Sequence, residues 1–247
     1  MSYRNGPKIV SDGLVLYVDA GNIKSYTSGS TTWSDLSKNG NTATLTNGPT
    51  FSNTNGGNIV FDGVNDYCSL GSNFYTSKFY SNNQAWTIMT LINITQDKSS
   101  EGGVFCNQRF QSETDNSGPA GFGLSLYNGY CINMTYDNGN GTYTSYERHT
   151  TMPILTNTWD CVCYTWNPTT NTVTAYRNGN VYTTNTNASY KWSPRAAGTS
   201  AAIGVNIQGG WSTYYPMNIA CVLVYNTALT LPQVRQNCNA IRTRFGL

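Results

Sequence analysis

Short stretches of alternating apolar and polar residues, separated by glycine, asparagine and proline, dominate this sequence and limit what it can fold into. Alternation with a period of two is typical of a β-strand with one buried face, whereas a helix repeats its apolar residues every three or four positions. Asn128-Gly129 lies between apolar runs at 122–127 and 130–136, and Asn178-Gly179 lies between runs at 173–176 and 181–183. Because Asn-Gly favours the positive φ angles of a type I′ turn, both dipeptides predict tight hairpins.

Further strands are expected along most of the chain. They lie at 13–19, 58–62, 66–70, 86–94, 103–107, 159–166, 201–205 and 218–225, with loops at 72–84, 108–120 and 137–150. So many short strands predict an all-β fold of two packed sheets, since neither sheet can bury its apolar face alone. Residues 1–11 carry no strong pattern and are expected to form an N-terminal arm, which leaves 12–247 as one domain.

One short helix is predicted near the C-terminus. Thr230, followed by Pro232 and Gln233, matches a capping box with a proline in the first turn. Val234 and Ile241 recur at helical spacing and are expected to be buried against the sandwich. Three arginines lie in or just past the helix and are expected to form a solvated face, namely Arg235, Arg242 and Arg244.

The low charge of the chain excludes several classes of partner. Charged residues make up 11% of the sequence and the formal net charge is +2, so there is no basic surface suited to a nucleic-acid backbone. No segment has the run of about 18 apolar residues that spans a bilayer. We therefore expect neither nucleic-acid binding nor membrane insertion. Asn and Thr together form about a quarter of the chain, which predicts an uncharged polar surface suited to glycans or other proteins.

The cysteines are predicted to be mostly reduced and buried. They are Cys68, Cys106, Cys131, Cys161, Cys163, Cys221 and Cys238. Their spacing and the single histidine argue against a zinc site, and most of them fall in apolar runs, where a thiol behaves as a small hydrophobe. The first residues also lack the apolar core of a secretory signal. Both observations predict folding in a reducing cytoplasm.

Several motifs follow one another in order along almost the whole chain. They begin with Asp12-Gly-Leu-Val-Leu-Tyr-Val-Asp-Ala-Gly-Asn22, include Phe61-Asp-Gly63 within 57–67, and end with Val224-Tyr-Asn-Thr-Ala-Leu-Thr230. Others lie at 32–41, 46–51, 85–88, 158–159, 176–179 and 202–204. In this order they resemble the laminin-G-like domains of the concanavalin A-like lectin/glucanase superfamily, in the form found in bacteriophage structural proteins. The resemblance implies a two-sheet antiparallel jelly-roll sandwich with a short C-terminal helix.

The resemblance also draws attention to two carboxylates. The neighbourhood of 61–67 is sometimes near a calcium site in this family, so Asp62 and Asp66 are the first ligands to consider. Calcium takes about six to eight oxygen ligands, and only two carboxylates cluster here. Hydrogen bonding to the amides of the turn is therefore the favoured role, and no cofactor is expected to be required.

Catalytic residues of the related glucanases are not found in the sequence. Retaining members carry Glu-x-Asp-x-x-Glu or a close variant on one strand, which holds two carboxylates about 5 Å apart. Glu113 and Asp115 are the nearest pair, but they lie in a turn-like stretch that predicts a solvated loop. Glu147 and His149 are close in sequence but lack a nucleophile motif and an orienting partner. We therefore expect no enzymatic activity.

Aromatic residues that are expected to be exposed in polar loops are the candidate ligand contacts, because rings stack on the apolar faces of sugars and anchor protein interfaces. The candidates are Trp211, Tyr214 and Tyr215 in the stretch 209–216, and Tyr75, Phe79 and Tyr80 in the loop 72–84. A second interpretation, in which these rings only cover the edges of the sandwich, stays open.

These features favour a non-catalytic structural protein on the outside of a bacteriophage particle, as a decoration, fibre or baseplate-associated subunit. Its expected partners are other virion proteins, and it is expected to be present in several copies. Folding in the host cytoplasm and release by lysis reconcile reduced thiols with a polar surface. A lectin or adhesin for host glycans is the alternative and is compatible with the virion role, and a glycoside hydrolase is the less favoured one.

Overall fold

Strands make up most of the computed structural model, which describes residues 7–71, 74, 79, 84–109, 120–137, 144–186, 201–208 and 211–247. They are β1 (Leu14–Asp19), β2 (Thr32–Trp33), β3 (Ala43–Thr46), β4 (Thr50–Ser52), β5 (Asn58–Asp62), β6 (Tyr67–Ser69), β7 (Trp86–Ile94), β8 (Gly102–Arg109), β9 (Ala120–Tyr127), β10 (Tyr130–Asp137), β11 (Thr144–Pro153), β12 (Trp159–Asn167), β13 (Thr172–Arg177), β14 (Asn180–Thr186), β15 (Ala202–Ile203), β16 (Val205–Gln208), β17 (Trp211–Tyr214) and β18 (Pro216–Tyr225).

The strands form two large antiparallel sheets and one separate hairpin. Sheet A has the order β14-β13-β12-β7-β18-β5-β4, and β1 also pairs with β18. Sheet B has the order β11-β10-β9-β8-β15-β6-β3-β2, and β16 pairs with β17. The predicted two-sheet all-β fold is confirmed, and so are the hairpins at 128–129 and 178–179.

An apolar core fills the space between the two sheets. Its largest side chains include Trp33, Trp86 and Trp166, each at most 1% exposed. The ring of Trp86 stacks on Phe122 of sheet B, with centroids 4.9 Å apart and planes at 6°. Burial of such rings contributes about 25 cal/mol per Å² of apolar surface removed from water, so this contact helps to hold the two sheets together.

The central strands of sheet A are buried on both faces. All residues of β7 are buried, and β12 and β18 are buried along almost their whole length. A second apolar cluster joins their outer face to helix α1 (Leu231–Ile241). These strands therefore read as continuous apolar runs in the sequence, because neither face meets solvent.

Helix α1 packs on sheet A through its apolar side, as predicted. The N–H of Thr230 donates to Gln233 Oε1 at 2.9 Å, which closes the first turn. Val234 and Ile241 are 0% and 2% exposed. No helix in the described part of the chain is both long and apolar enough to cross a bilayer.

The prediction of a solvated arginine face at the helix is wrong in part. Arg235 is exposed, but it and Arg242 donate to carbonyls of the turn 178–179 at 3.2 and 3.5 Å. Arg244 forms an ion pair with Asp19 at 2.8 Å, and the two side chains are only 26% and 9% exposed. The chain past the helix turns back onto sheet A and so brings Arg244 to a partly buried carboxylate that the sequence pattern does not reveal.

The described part of the predicted arm, residues 7–11, is hydrogen bonded to helix α1 and to the end of β18. The N–H of Val10 donates to Asn237 Oδ1 at 2.8 Å, and its carbonyl accepts the hydroxyl of Tyr225 at 3.0 Å. Asn237 is 0% exposed. The arm thus completes the hydrogen bonding of two buried side chains that also bond to each other, since Asn237 Nδ2 donates to the Tyr225 hydroxyl at 2.8 Å.

The β16–β17 hairpin lies against β8, where two glycines permit close approach. A Cβ atom on Gly103 would lie 2.1 Å from the backbone of Val205, and one on Gly102 would lie 2.7 Å from the backbone of Tyr214. No larger residue fits at these positions without moving the hairpin. The hairpin therefore covers part of sheet B from outside.

Several strands are missing from the sequence prediction. β11 occupies much of the expected loop at 137–150, and β17 occupies part of the expected loop at 209–216. β11 is the edge strand of sheet B and is held by pairing with β10, so it does not need an apolar pattern. β2, β3 and β4 are too short for alternation to be recognised.

Candidate functional site

Loops from both sheets meet at one end of the sandwich, which we call the loop rim. It consists of residues 62–66, 95–101, 128–130, 154–158 and 214–216, which include the first residue of β10. In sheet A, β5 and β7 end here while β12 and β18 begin here, because antiparallel pairing places these ends side by side. Sheet B contributes the β9–β10 turn. The loop rim is therefore built by contacts between distant parts of the chain.

Lys98 connects the segments of the loop rim. Its ammonium group donates to the carbonyls of Gly63 at 3.0 Å and Tyr214 at 3.3 Å. Its own carbonyl accepts the N–H of Asn128 at 3.0 Å. Because one residue holds three other backbone segments, the rim is a pre-formed surface and not a set of independent loops.

Tyr215 lies inside the loop rim, so its predicted exposure is wrong. Its side chain is 0% exposed. Its hydroxyl donates to the carboxylate of Asp97 and accepts the N–H of Lys98 at 2.8 Å. Burial, followed by the hydrogen bond to Asp97, raises the pKa of Tyr215 to about 12. The hydroxyl stays protonated and fixes the loop 95–101 from within.

Asp62 and Asp66 close the turn at 62–66. Asp62 Oδ1 accepts the N–H groups of Val64 at 2.7 Å and Asn65 at 3.3 Å, and Asp66 Oδ2 accepts the N–H of Asp62 at 3.1 Å. Asp66 is 5% exposed, and burial raises the pKa of its carboxyl group. Within the described ranges, no third His, Cys, Asp or Glu joins them in a metal-sized cluster. Both side chains act as acceptors for turn amides, and calcium binding here stays a prediction.

The remaining predicted contacts do not gather at one place in the described residues. Phe79 is 0% exposed and packs edge-on against Phe122, with centroids 4.9 Å apart; its predicted exposure is wrong, because the ring belongs to the core. Tyr214 is half-buried on β17. The side chain of Trp211 and all of Tyr75 and Tyr80 lie outside the described residues.

Three exposed apolar side chains on the loop rim are not predicted by the sequence. Val64 is 71% exposed, Leu155 is 61% exposed and Tyr130 is 43% exposed. The N–H of Ile154 donates to the carbonyl of Gly129 at 2.9 Å, which places Leu155 beside the turn next to Tyr130. A lone apolar residue in a loop looks the same in sequence whether it is buried or exposed, so no pattern distinguishes these three.

A pocket of about 510 Å³ opens beside the loop rim. Its walls come from residues 26–31, between β1 and β2, and from residues 45–51, which include the β3–β4 turn. Asn47 Nδ2 donates to the carbonyl of Asn65 at 2.9 Å and so connects the pocket to the rim. The sequence gives no signal for the pocket beyond the turn residues Asn47 and Gly48.

The carboxylates considered as catalytic groups lie outside the described geometry. Glu113 and Asp115 fall outside the described residues. Glu147 and His149 belong to β11, but their side chains are not described. Two rim carboxylates that are described have partners within the chain: Asp97 accepts from Tyr215, as above, and Glu101 accepts from Asn206. The absence of catalysis therefore stays a prediction.

The fold agrees with a match to a known family. The family model Laminin_G_3, of the concanavalin A-like lectin/glucanases superfamily, matches residues 61–235. The chain belongs to this superfamily, and the predicted resemblance to its laminin-G-like domains is confirmed at that level.

Solved structures with a similar fold include toxin binding domains and sialidases. The binding domain of Paraclostridial Mosquitocidal Protein 1 has a TM-score of 0.67 and 15% identity, covering 93% of this chain and 52% of that one. The binding domain of botulinum neurotoxin serotype D has a TM-score of 0.61 and 14% identity, covering 92% and 51%. A mutant of Trypanosoma rangeli sialidase displaying trans-sialidase activity has a TM-score of 0.63 and 15% identity, covering 98% and 35%.

The chain thus spans between a third and about half of these proteins. At such identities the likeness shows the fold alone. No curated protein has a significantly matching sequence.

Proposed function

We propose that this chain is a non-catalytic binding and structural protein displayed on the outside of a bacteriophage particle, as a decoration, fibre or baseplate-associated subunit. The observation that carries the proposal is the loop rim, where Val64, Tyr130 and Leu155 expose apolar surface. The segments of the rim are joined by Lys98 and by the hydrogen bond from Ile154 to Gly129. Exposed apolar side chains on a fixed surface are typical of contacts with other proteins. Other virion proteins are the proposed partners at this surface.

The state of the cysteines supports folding inside a host cell. All seven are free and buried, which suits a reducing cytoplasm followed by release through lysis. The structure has no need of an oxidising compartment, because its two apolar clusters hold the sheets and the helix together.

The first test is mass spectrometry of purified particles from the host culture, together with antibody labelling of intact particles. We expect the chain in the particles and accessible from outside. Particles that lack the chain would contradict the proposal.

A pair of variants tests the loop rim itself. Val64→Glu should lower incorporation into particles, because it places a charge on the proposed contact surface. Val181→Glu is the matched control, since Val181 is also an exposed valine, 48% exposed, but lies on β14 at the edge of sheet A. Equal incorporation of both variants would exclude the rim as the contact.

Glycan binding is the second candidate function, and it is favoured by a separate observation, the pocket beside the rim. A lectin-like superfamily fold is compatible with it. The two roles can coexist in one displayed protein.

A further inference from the structure

We infer that the pocket formed by residues 26–31 and 45–51 binds an uncharged saccharide unit. Its volume of about 510 Å³ falls within the range of roughly 300–1,000 Å³ that is usual for small-ligand sites. The inference gives the glycan-binding candidate a place and a ligand class, and it does not depend on the virion location.

The lining of the pocket excludes a strong preference for charged ligands. None of the residues that line it carries a charged side chain. The carboxyl group of Asp66 is buried behind Gly48, with Oδ1 3.8 Å from where a Cβ on that glycine would lie. A carboxylate in this position opposes an anionic ligand, and no lining cation offsets it.

Hydroxyl groups in the pocket are available to a ligand. Ser28, Thr31 and Thr50 line the pocket and are exposed. Their hydroxyl groups form no hydrogen bond with another residue in the described part of the chain. A hydroxyl donates one hydrogen bond and accepts two, which matches the mixed donors and acceptors of a neutral sugar.

An aromatic wall supplies the apolar contact that sugar rings need. Phe51 is partly exposed, and its ring centroid lies 5.2 Å from that of Tyr26 with planes at 32°. Tyr26 is 6% exposed and supports Phe51 from behind. The C–H face of a sugar can therefore lie on Phe51 while its hydroxyls reach the polar wall.

Internal hydrogen bonds hold the pocket open in one shape. The hydroxyl of Tyr26 donates to the carbonyl of Ser30 at 2.9 Å, and the N–H of Leu45 donates to the carbonyl of Thr31 at 2.8 Å. Asn47 is anchored to the 62–66 turn through its side-chain amide, as described above. Binding therefore needs little ordering of the protein, which favours even a small ligand.

The test uses the full chain and a panel of D-glucose, D-galactose, N-acetyl-D-glucosamine and neutral oligosaccharides built from them, with D-glucuronate and N-acetylneuraminate as anionic counterparts. Saturation-transfer NMR identifies binders and calorimetry measures their affinity. We expect binding of at least one neutral sugar in the millimolar-to-micromolar range. Binding of anionic sugars alone, or of none of the panel, would overturn the inference.

Two variants assign the binding to the pocket. Thr31→Glu should lower the affinity for the neutral sugar about tenfold, because it puts a carboxylate among the polar contacts. Thr169→Glu is the matched control on an exposed turn and should bind like the unmodified chain. Phe51→Ala should weaken binding to a similar degree. Because Phe51 also packs against the core, the melting temperature of this variant is measured to show that it is folded.

Unchanged affinity in both Thr31→Glu and folded Phe51→Ala would place the sugar elsewhere and refute the inference. If the chain binds a neutral sugar but is not found in purified particles, the inference holds and only the virion role is contradicted.

Discussion

At the scale of single residues, burial decides the chemistry of the reactive groups. Burial raises the pKa of the Cys131 thiol to about 12 and that of Cys68 further. Since the thiolate is the nucleophile, such thiols are inert. The sequence alone predicts their burial, because each lies in or beside an apolar run.

Thiol titration under non-reducing conditions should therefore separate two states of the protein. We expect nearly all seven cysteines to react after denaturation, since the structure has them free. The folded protein should react far more slowly, because the thiols are buried. A single reactive thiol after denaturation would mean that the others are paired and that the compartment prediction is wrong.

The stability of the turn at 62–66 should depend on pH through Asp66. Burial raises the pKa of this carboxyl group above its ordinary value of 3.8, so folding favours the protonated form. The resulting stability is fully present below 3.8 and is lost as the pH rises through the raised pKa. Relative to Asp66→Asn, which cannot ionise, the unmodified chain should lose free energy of unfolding between acidic and neutral pH. Urea denaturation of both proteins over this pH range measures the difference between their free energies of unfolding. A difference that does not change with pH would contradict the prediction.

At the scale of elements, the sequence predicts what is local. Asn128-Gly129 and Asn178-Gly179 have positive φ angles at both positions, 50° and 76° in the first turn and 52° and 81° in the second, as their hairpins require. β7, β12 and β18 are found because their apolar runs are long. The loop rim cannot be predicted from the sequence, because Lys98 contacts residues 63 and 214, which are far away along the chain. The exposure of Val64 likewise depends on packing that no local pattern encodes.

Helix α1 should depend on its buried face and hardly on its arginines. Ile241 is 2% exposed within the second apolar cluster, so Ile241→Ala should lower the free energy of unfolding by about 2–4 kcal/mol. Arg242→Ala removes only a long hydrogen bond of 3.5 Å and should cost a few tenths of a kcal/mol. Denaturation of the isolated chain measures both changes. If Ile241→Ala proved neutral, the helix would not be held by this packing.

Shortening the N-terminal arm should also lower the stability of the packing between helix α1 and sheet A. Removal of residues up to Val10 leaves Oδ1 of the buried Asn237 without its donor and the hydroxyl of the buried Tyr225 without its acceptor, while Asn237 Nδ2 still donates to that hydroxyl. Each unsatisfied group costs about 1–3 kcal/mol. A truncation that ends before Pro7 keeps both hydrogen bonds and is the control. Equal melting temperatures for the two truncations would show that the arm contributes no stability.

At the scale of the whole molecule, charge contributes little to the fold. Charged residues form only 11% of the chain, and the described ion pairs Arg177–Asp160 and Arg244–Asp19 have acidic partners that are 1% and 9% exposed. Salt screens exposed pairs much more than partly buried ones. The order of strands within each sheet, by contrast, follows from long-range pairing and cannot be read from composition or periodicity.

The melting temperature should therefore change little between low and physiological concentrations of sodium chloride. Thermal denaturation at both ionic strengths checks this prediction. Asp160→Asn is included as a variant that breaks the partly buried ion pair with Arg177. The variant should melt lower at both salt concentrations. A large salt-dependent shift in the unmodified chain would point to surface charge pairs as a main source of stability.

The pairing of β1 with β18 has a mechanical consequence. The two strands are antiparallel, with Leu14 opposite Tyr225, so tension applied through the two ends of the described chain pulls at the same end of the pair. The pair then peels open one hydrogen bond at a time and does not shear as a unit. Before that, the load falls on the contacts of Val10 with Asn237 and of Arg244 with Asp19. The contacts of the arm and of the C-terminal residues with helix α1 and sheet A therefore set the force at which the protein begins to open.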